Sequence, residues 1–172
     1  PMAAPGDLIW VHDYHLLLLG RELRHNGWSG PIGFFLHIPF PAPEVFTALP
    51  QHQRLARGMA EFDLLGFQTE RDTANFRRYM VEHHEAELLD EERLKVFGRV
   101  IRAKAFPIGT DPDEFASFAM LDEARAAAEK LGRITDNRSL VLGVDRMDYS
   151  KGLPERMRAF GKLLDDNAGM HG

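Results

Sequence analysis

Residues 7–12 read DLIWVH, and the nine that follow read DYHLLLLGR. A short apolar run closed by polar residues is the pattern of a buried strand. Behind it, Leu16, Leu17, Leu19 and Leu23 suit a helix over 14–26, with basic residues near its end and Gly27 and Gly30 stopping it. Strand gives way to helix within a few residues. Repeated along a chain, that passage makes an α/β protein with a mostly parallel sheet and flanking helices.

The repetition continues outward. Residues 33–37 (GFFLH) read as a second strand, stopped by Pro39, Pro41 and Pro43. Residues 44–61 read as helical, with Pro50 as a break or a new first turn. A third strand is expected at 62–68. A helix is expected at 70–87, with Phe76, Tyr79 and Met80 on its inner side. Residues 94–106 suit a hairpin around Gly98-Arg99. Asp111 followed by Pro112 suits a helix start, and 121–131 is an alanine-rich helix. Residues 132–139 (GRITDNRS) are polar and turn-rich. After them, 140–145 (LVLGVD) reads as a strand and 151–167 as a helix carrying Leu153, Met157, Phe160 and Leu164. The expected organisation is one domain over 1–132, a linker at 133–139, and the truncated start of a second domain over 140–172. One strand cannot form a sheet core alone.

The 172 residues are 44% apolar and 27% charged, as in ordinary soluble globular proteins. A net charge of −5 argues against broad nucleic-acid binding. Without cysteine there is no disulfide or thiolate metal site, and a cytoplasmic location is compatible. No apolar stretch approaches the roughly 20 residues that cross a bilayer, so no membrane partner is expected. The first five residues, PMAAP, lack the pattern of a signal peptide, and a proline at position 1 suggests a cut chain.

Three constellations could carry chemistry. In 10–15 (WVHDYH), polar residues fall at the carboxyl end of a strand, where open α/β sheets bind ligands. Asp13 can accept hydrogen bonds from sugar hydroxyls, or it can cap the next helix. His12 and His15 flank it, but no third ligand follows, and no metal is expected. In 33–43 (GFFLHIPFPAP), His37 falls at a second strand end, on a loop stiffened by prolines. It can meet a sugar hydroxyl, or be satisfied by backbone in an ordinary turn. In 143–152 (GVDRMDYSKG), Arg146 and Lys151 stand at the start of a helix, whose end already favours anions. They suit a diphosphate leaving group, on which negative charge grows as a glycosidic bond breaks. The other reading pairs Arg146 with Asp145 or Asp148 on the surface. Residues 106–111 (FPIGTD) line a cleft or simply cap a helix at Asp111. Residues 82–85 (EHHE) resemble a metal cluster in composition, yet consecutive residues spread around a helix, and they read as solvated surface.

Five phrases together, DLIWVHDYHLLLL, IGFFLHIPFPAPEVF, FDLLGFQTERD, FPIGTDPDEF and GVDRMDYSKGLPERMRAF, resemble the trehalose-6-phosphate synthase family. They occur in that family's order and cover the chain from Asp7 to about Leu164. The resemblance implies a retaining glycosyltransferase of GT-B fold, with two facing Rossmann-like domains. Its substrates are UDP-glucose and glucose 6-phosphate, its products trehalose 6-phosphate and UDP, and it needs no metal or cofactor. By position, Asp13 matches the aspartate on the acceptor sugar, His37 the histidine near the donor glucose, and Arg146 and Lys151 the basic pair on the donor diphosphate. Met147 stands where leucine is common in the family.

The resemblance also implies omissions: upstream glycine-rich and aromatic segments, and most of the donor domain. The expectation is therefore a catalytic parent protein and a piece inactive alone, which self-associates through exposed apolar surface. Other readings are a transferase with another acceptor, such as glycerol 3-phosphate, an inactive gene fragment, or a noncatalytic module that binds phosphosugar or supports a synthase complex. The module is expected to lose Asp13, His37, Arg146 or Lys151; all four are present.

Overall fold

A computed structural model describes residues 4, 6–136, 138 and 140–170. It divides into two compact units, Pro1–Thr110 and Asp111–Gly172.

The first unit runs β1 (Ile9–His12), α1 (Leu19–His25), β2 (Ile32–Phe35), α2 (Pro43–Phe46), α3 (His52–Met59), β3 (Leu64–Phe67), α4 (Glu70–His84), β4 (Glu87–Leu88), β5 (Arg93–Val96) and β6 (Arg99–Ala105). The strands form one sheet in the order β1-β2-β3-β6-β5-β4. Strands β1, β2, β3 and β6 are parallel, while β5 and β4 add an antiparallel edge. The α/β class is the one expected. The two-residue β4 had no signal in the sequence.

Register explains the core. Val11, Phe34, Leu65 and Ala103 are successive partners across the four parallel strands, and all four are buried. Phe34, Phe62, Phe67 and Phe76 are fully enclosed, each contributing about 1.5–3 kcal/mol through burial. Helix α4 buries Phe76, Tyr79 and Met80, as its spacing predicted. Its first turn is capped by Thr69, whose hydroxyl accepts from the Asp72 N–H at 3.1 Å. It ends at His84, three residues short of the expected stop at 87, and Glu85 follows it with φ 53°. The helix expected over 44–61 is two, α2 and α3, with Pro50 between them.

The hairpin turns at Phe97-Gly98, one residue earlier than expected, with φ of 51° and 76°. Two consecutive left-handed residues give the turn a twist that matches the strands. The Phe97 ring lies 5.0 Å from that of His84 and 4.7 Å from the Arg57 guanidinium, contacts that offset its unusual backbone.

Asp63, just before β3, ties the amino-terminal ends of β2 and β6 to the carboxyl end of α1. Its carboxylate accepts from the Ile32 N–H at 2.7 Å, from Arg24 at 2.8 Å and from Arg99 at 2.9 Å.

The second unit holds α5 (Pro112–Ala119), α6 (Asp122–Ile134) and α7 (Leu153–Asp166), with 3-10 turns at Tyr149–Lys151 and Ala168–Met170. None of these elements contains a buried residue. Helix α6 extends to Ile134, so 133 and 134 of the expected linker are helical; 137 and 139 lie outside the described residues. The strand expected at 140–145 is absent: these residues have no regular structure. A strand needs a neighbour to take its backbone hydrogen bonds, and the described residues of this unit supply none. Helix α7 starts at Leu153, so Lys151 belongs to the preceding 3-10 turn, not to the helix.

Candidate functional site

The four parallel strands stop at one edge of the sheet. Three backbone bonds carry the ladder just past their ends: Asp13 N–H to the Phe35 carbonyl at 2.8 Å, Leu36 to Gly66 at 2.9 Å, and Phe106 to Phe67 at 2.8 Å. Asp13 and His37, 24 residues apart in sequence, thereby leave neighbouring strands side by side.

Their contact is direct. The Asp13 Oδ1 accepts from the His37 N–H at 3.3 Å and from the Tyr14 N–H at 2.9 Å. Among the described residues Oδ2 makes no hydrogen bond. The cap reading of Asp13 is thus correct as far as the turn Tyr14–Leu16 is concerned. It does not account for the backbone, which has φ 71° and ψ 163°. That region is otherwise almost confined to glycine and costs on the order of 1–3 kcal/mol. An ordinary cap residue sits in the β region at no such cost.

His12 joins them. Its Nδ1 lies 2.8 Å from the His37 Nε2. Sequence reasoning weighed His12 only as a metal ligand and missed this pairing; the histidine closing each of two apolar strands was the available signal. His15 is elsewhere, stacked on Tyr14 with ring centroids 3.9 Å apart. Among the described residues, no group of three or more His, Asp or Glu is placed to hold a metal ion.

Two glycines let the aromatic side chains behind the histidines lie close to the sheet. Gly33 is the strand partner of Trp10, and a Cβ there would meet the indole at 2.3 Å. Gly66 is the partner of Phe35, and a Cβ there would meet that ring at 2.7 Å. Trp10 in turn meets the edge of His12 at 6.1 Å, and Phe35 lies 4.8 Å from His37. Both imidazoles are exposed.

In the second unit, Arg146 and Lys151 are exposed, and neither forms an ion pair among the described residues. The pairing of Arg146 with Asp145 or Asp148 does not occur. Asp145 binds Arg156 at 2.5 Å, and Asp148 accepts from the Ser150 N–H at 2.9 Å and its hydroxyl at 2.8 Å. Those Ser150 bonds, with lesser help from Arg146 and Lys151, hold the Asp148 carboxyl below its ordinary pKa. Gly152, at φ 61°, turns the chain from Lys151 into α7.

Two weaker signals resolve differently. Asp111 caps α5, accepting from the Asp113 and Glu114 N–H groups at 3.0 and 3.1 Å. The reading of 82–85 as solvated surface is incomplete. His83 stacks on Tyr79 at 4.8 Å, and the Tyr79 hydroxyl lies 2.6 Å from His52 and 3.4 Å from His84. Burial pushes the Tyr79 pKa up. Burial first, then the charges of Arg57, His83 and His52, push that of His84 down.

A sequence profile of glycosyltransferase family 20 matches residues 1–172. Trehalose-6-phosphate synthase of Sinorhizobium fredii is 39% identical over 172 residues, which are 100% of this chain and 37% of the relative. That of Enterobacter sp. is 40% identical over 175 residues, 36% of its length. The chain therefore spans little more than a third of the curated relatives it matches. Among solved structures, an alpha,alpha-trehalose-phosphate synthase (UDP-forming) from Burkholderia xenovorans, in complex with glucose-6-phosphate, is 44% identical with a TM-score of 0.83, over 99% of this chain and 38% of that one. A structure described as trehalose-6-phosphate from E. coli bound with UDP-2-fluoro glucose is 40% identical with a TM-score of 0.82, over 100% of this chain and 38% of that one. With all its residues inside the family match, the chain belongs to glycosyltransferase family 20.

Proposed function

We propose that the protein carrying this chain is an α,α-trehalose-phosphate synthase. It transfers glucose from UDP-glucose to glucose 6-phosphate and retains the anomeric configuration. The observation that carries this reading is the meeting of Asp13 and His37 at the carboxyl edge of the sheet, with Asp13 held in a glycine-type backbone conformation. Strain of that kind persists at sites where placement matters. The relatives named above are synthases of this kind, and two solved neighbours hold a UDP-glucose analogue and glucose-6-phosphate.

In this reading the Asp13 carboxylate accepts hydrogen bonds from the acceptor sugar, and His37 meets the donor glucose near the reacting carbon. Arg146 and Lys151 take the diphosphate. The bond from the glucose C1 to the phosphate oxygen breaks, and a bond from C1 to the acceptor hydroxyl oxygen forms on the same face. The hydroxyl proton passes to the departing phosphate oxygen. Negative charge grows on the leaving group, so fixed cations beside it lower the barrier. No pair of catalytic carboxylates is needed, unlike in glycoside hydrolysis.

Residues 1–132 belong, in this account, to a Rossmann-like acceptor-side domain, and 133–139 link it to a donor-side domain beginning at Leu140. The absence of cysteine suits a cytoplasmic protein, and the charge of −5 suits one without a nucleic-acid partner. Among the described residues no helix is long and apolar enough to cross a membrane. The 172-residue chain alone self-associates, because Val141, Leu142 and Val144 are 69%, 77% and 81% exposed.

The test is UDP release from UDP-glucose by the full-length protein, with and without glucose 6-phosphate. Release that requires the acceptor supports the proposal. Release without it, or none with it, rejects the proposal.

A further inference from the structure

We infer that His12 is a positioning residue for His37: it occupies Nε2 of that ring and leaves Nδ1 as the one nitrogen His37 can turn to a sugar hydroxyl. The inference rests on the reading of His37 as the group that meets the donor glucose.

The geometry is a nitrogen–nitrogen distance of 2.8 Å between rings tilted by 31°. Two imidazole nitrogens this close share one hydrogen: one donates and the other accepts. In the neutral pair each ring carries a single N–H. If His12 donates from Nδ1, His37 must carry its own hydrogen on Nδ1 and presents a donor. If His37 donates from Nε2, its Nδ1 is bare and presents an acceptor. The outward nitrogen of His37 is therefore single, and its character is set by His12.

The rest of the setting fixes the ring. Asp13 holds the His37 backbone N–H at 3.3 Å, and Phe35 packs against the imidazole at 4.8 Å. Trp10 meets His12 at 6.1 Å. His12 itself is exposed and outside the core. A strand end facing solvent has no packing need for an imidazole, so the bond to His37 is what gives this residue a task.

The experiment uses the full-length protein labelled with 15N-histidine, in three forms: unmodified, His12→Phe and His12→Asn. Phenylalanine keeps the ring and the strand preference but cannot bond. Asparagine places an amide near the position of Nδ1 and can. Long-range proton–nitrogen spectra assign the His37 nitrogens, kcat and KM for UDP-glucose report the reaction, and circular dichroism verifies folding. The expected result is a shifted His37 Nε2 signal in His12→Phe, with kcat down about 10–100-fold and KM changed by less than about threefold, since small misplacement of a reacting group costs that much. His12→Asn restores most of both. A His12→Phe protein with unchanged His37 signals or with kcat within about threefold overturns the inference, as does His12→Asn damaged to the same degree as His12→Phe. If the unmodified protein transfers no glucose, the glucosyltransferase reading fails, while the nitrogen signals still decide whether the two histidines are paired.

Discussion

The carboxylate of Asp13 accepts a hydrogen bond from the backbone N–H of His37 at 3.3 Å, joining β1 to β2 at the point where both strands stop. Asp13 does this from φ 71°, so the contact and the backbone strain come together. Replacing the side chain separates them. Asp13→Ala loses both carboxylate bonds and keeps the strain; Asp13→Gly loses the bonds and relieves it. Urea unfolding is expected to find the glycine variant more stable than the alanine variant by about 1 kcal/mol or more. Both variants should lose glucosyl transfer. Equal stability of the two would mean that the left-handed backbone is not maintained in the protein.

Lys151 and Arg146 form no ion pair among the described residues, although both act on the Asp148 carboxyl. In the full-length protein, Lys151→Ala and Arg146→Ala are each expected to lower kcat by about 10²–10³-fold, the range for removing one fixed group that stabilises transition-state charge. Unfolding midpoints should barely change, because both side chains are exposed and form no ion pair among the described residues. Steady-state kinetics of UDP release verify this, and a kcat within about threefold of the parent contradicts the assigned role.

Asp63 carries structure rather than chemistry. Its carboxylate accepts from one backbone N–H and two arginines. It is partly open to water, which screens the charges. Asp63→Ala is expected to cost about 1–3 kcal/mol, chiefly by leaving the Ile32 N–H without its acceptor. Denaturant melts provide the number, and the glucosyl-transfer KM values should stay the same in the folded fraction.

His84 makes stability depend on pH. Burial, followed by the charges of Arg57, His83 and His52, lowers its pKa in the folded chain below the ordinary 6.5. The unfolded chain therefore takes up a proton at higher pH than the folded one. Stability from this group is full above about 6.5, and it is lost as pH falls from there through the folded value. His84→Gln should flatten that part of the profile. Melting temperatures of the two proteins between about pH 8 and pH 5 make the comparison, and parallel profiles would argue against it.

Much of the first unit was legible because its signals are local. A run such as DLIWVH ends in polar residues at the same place where its strand ends, so Asp13 and His37 could be placed on one sheet edge from strand boundaries alone. The bond between His12 and His37 could not be read this way, since it depends on two residues 25 apart meeting across β1 and β2. The same limit hid the Tyr79 cluster: a helical wheel for α4 spreads His83 and His84 apart, but it says nothing of His52, which arrives from α3. The misread strand at 140–145 has a different cause. Apolar residues mark a segment that can pair, whereas a strand exists only where a neighbour accepts and donates its hydrogen bonds.

The most direct test of the whole account is proton NMR of the product formed by the full-length protein from UDP-glucose and glucose 6-phosphate. The account predicts a single disaccharide phosphate in which both anomeric protons show the α configuration, formed in step with UDP. Free glucose, a β-linked product, or no product at all would contradict it.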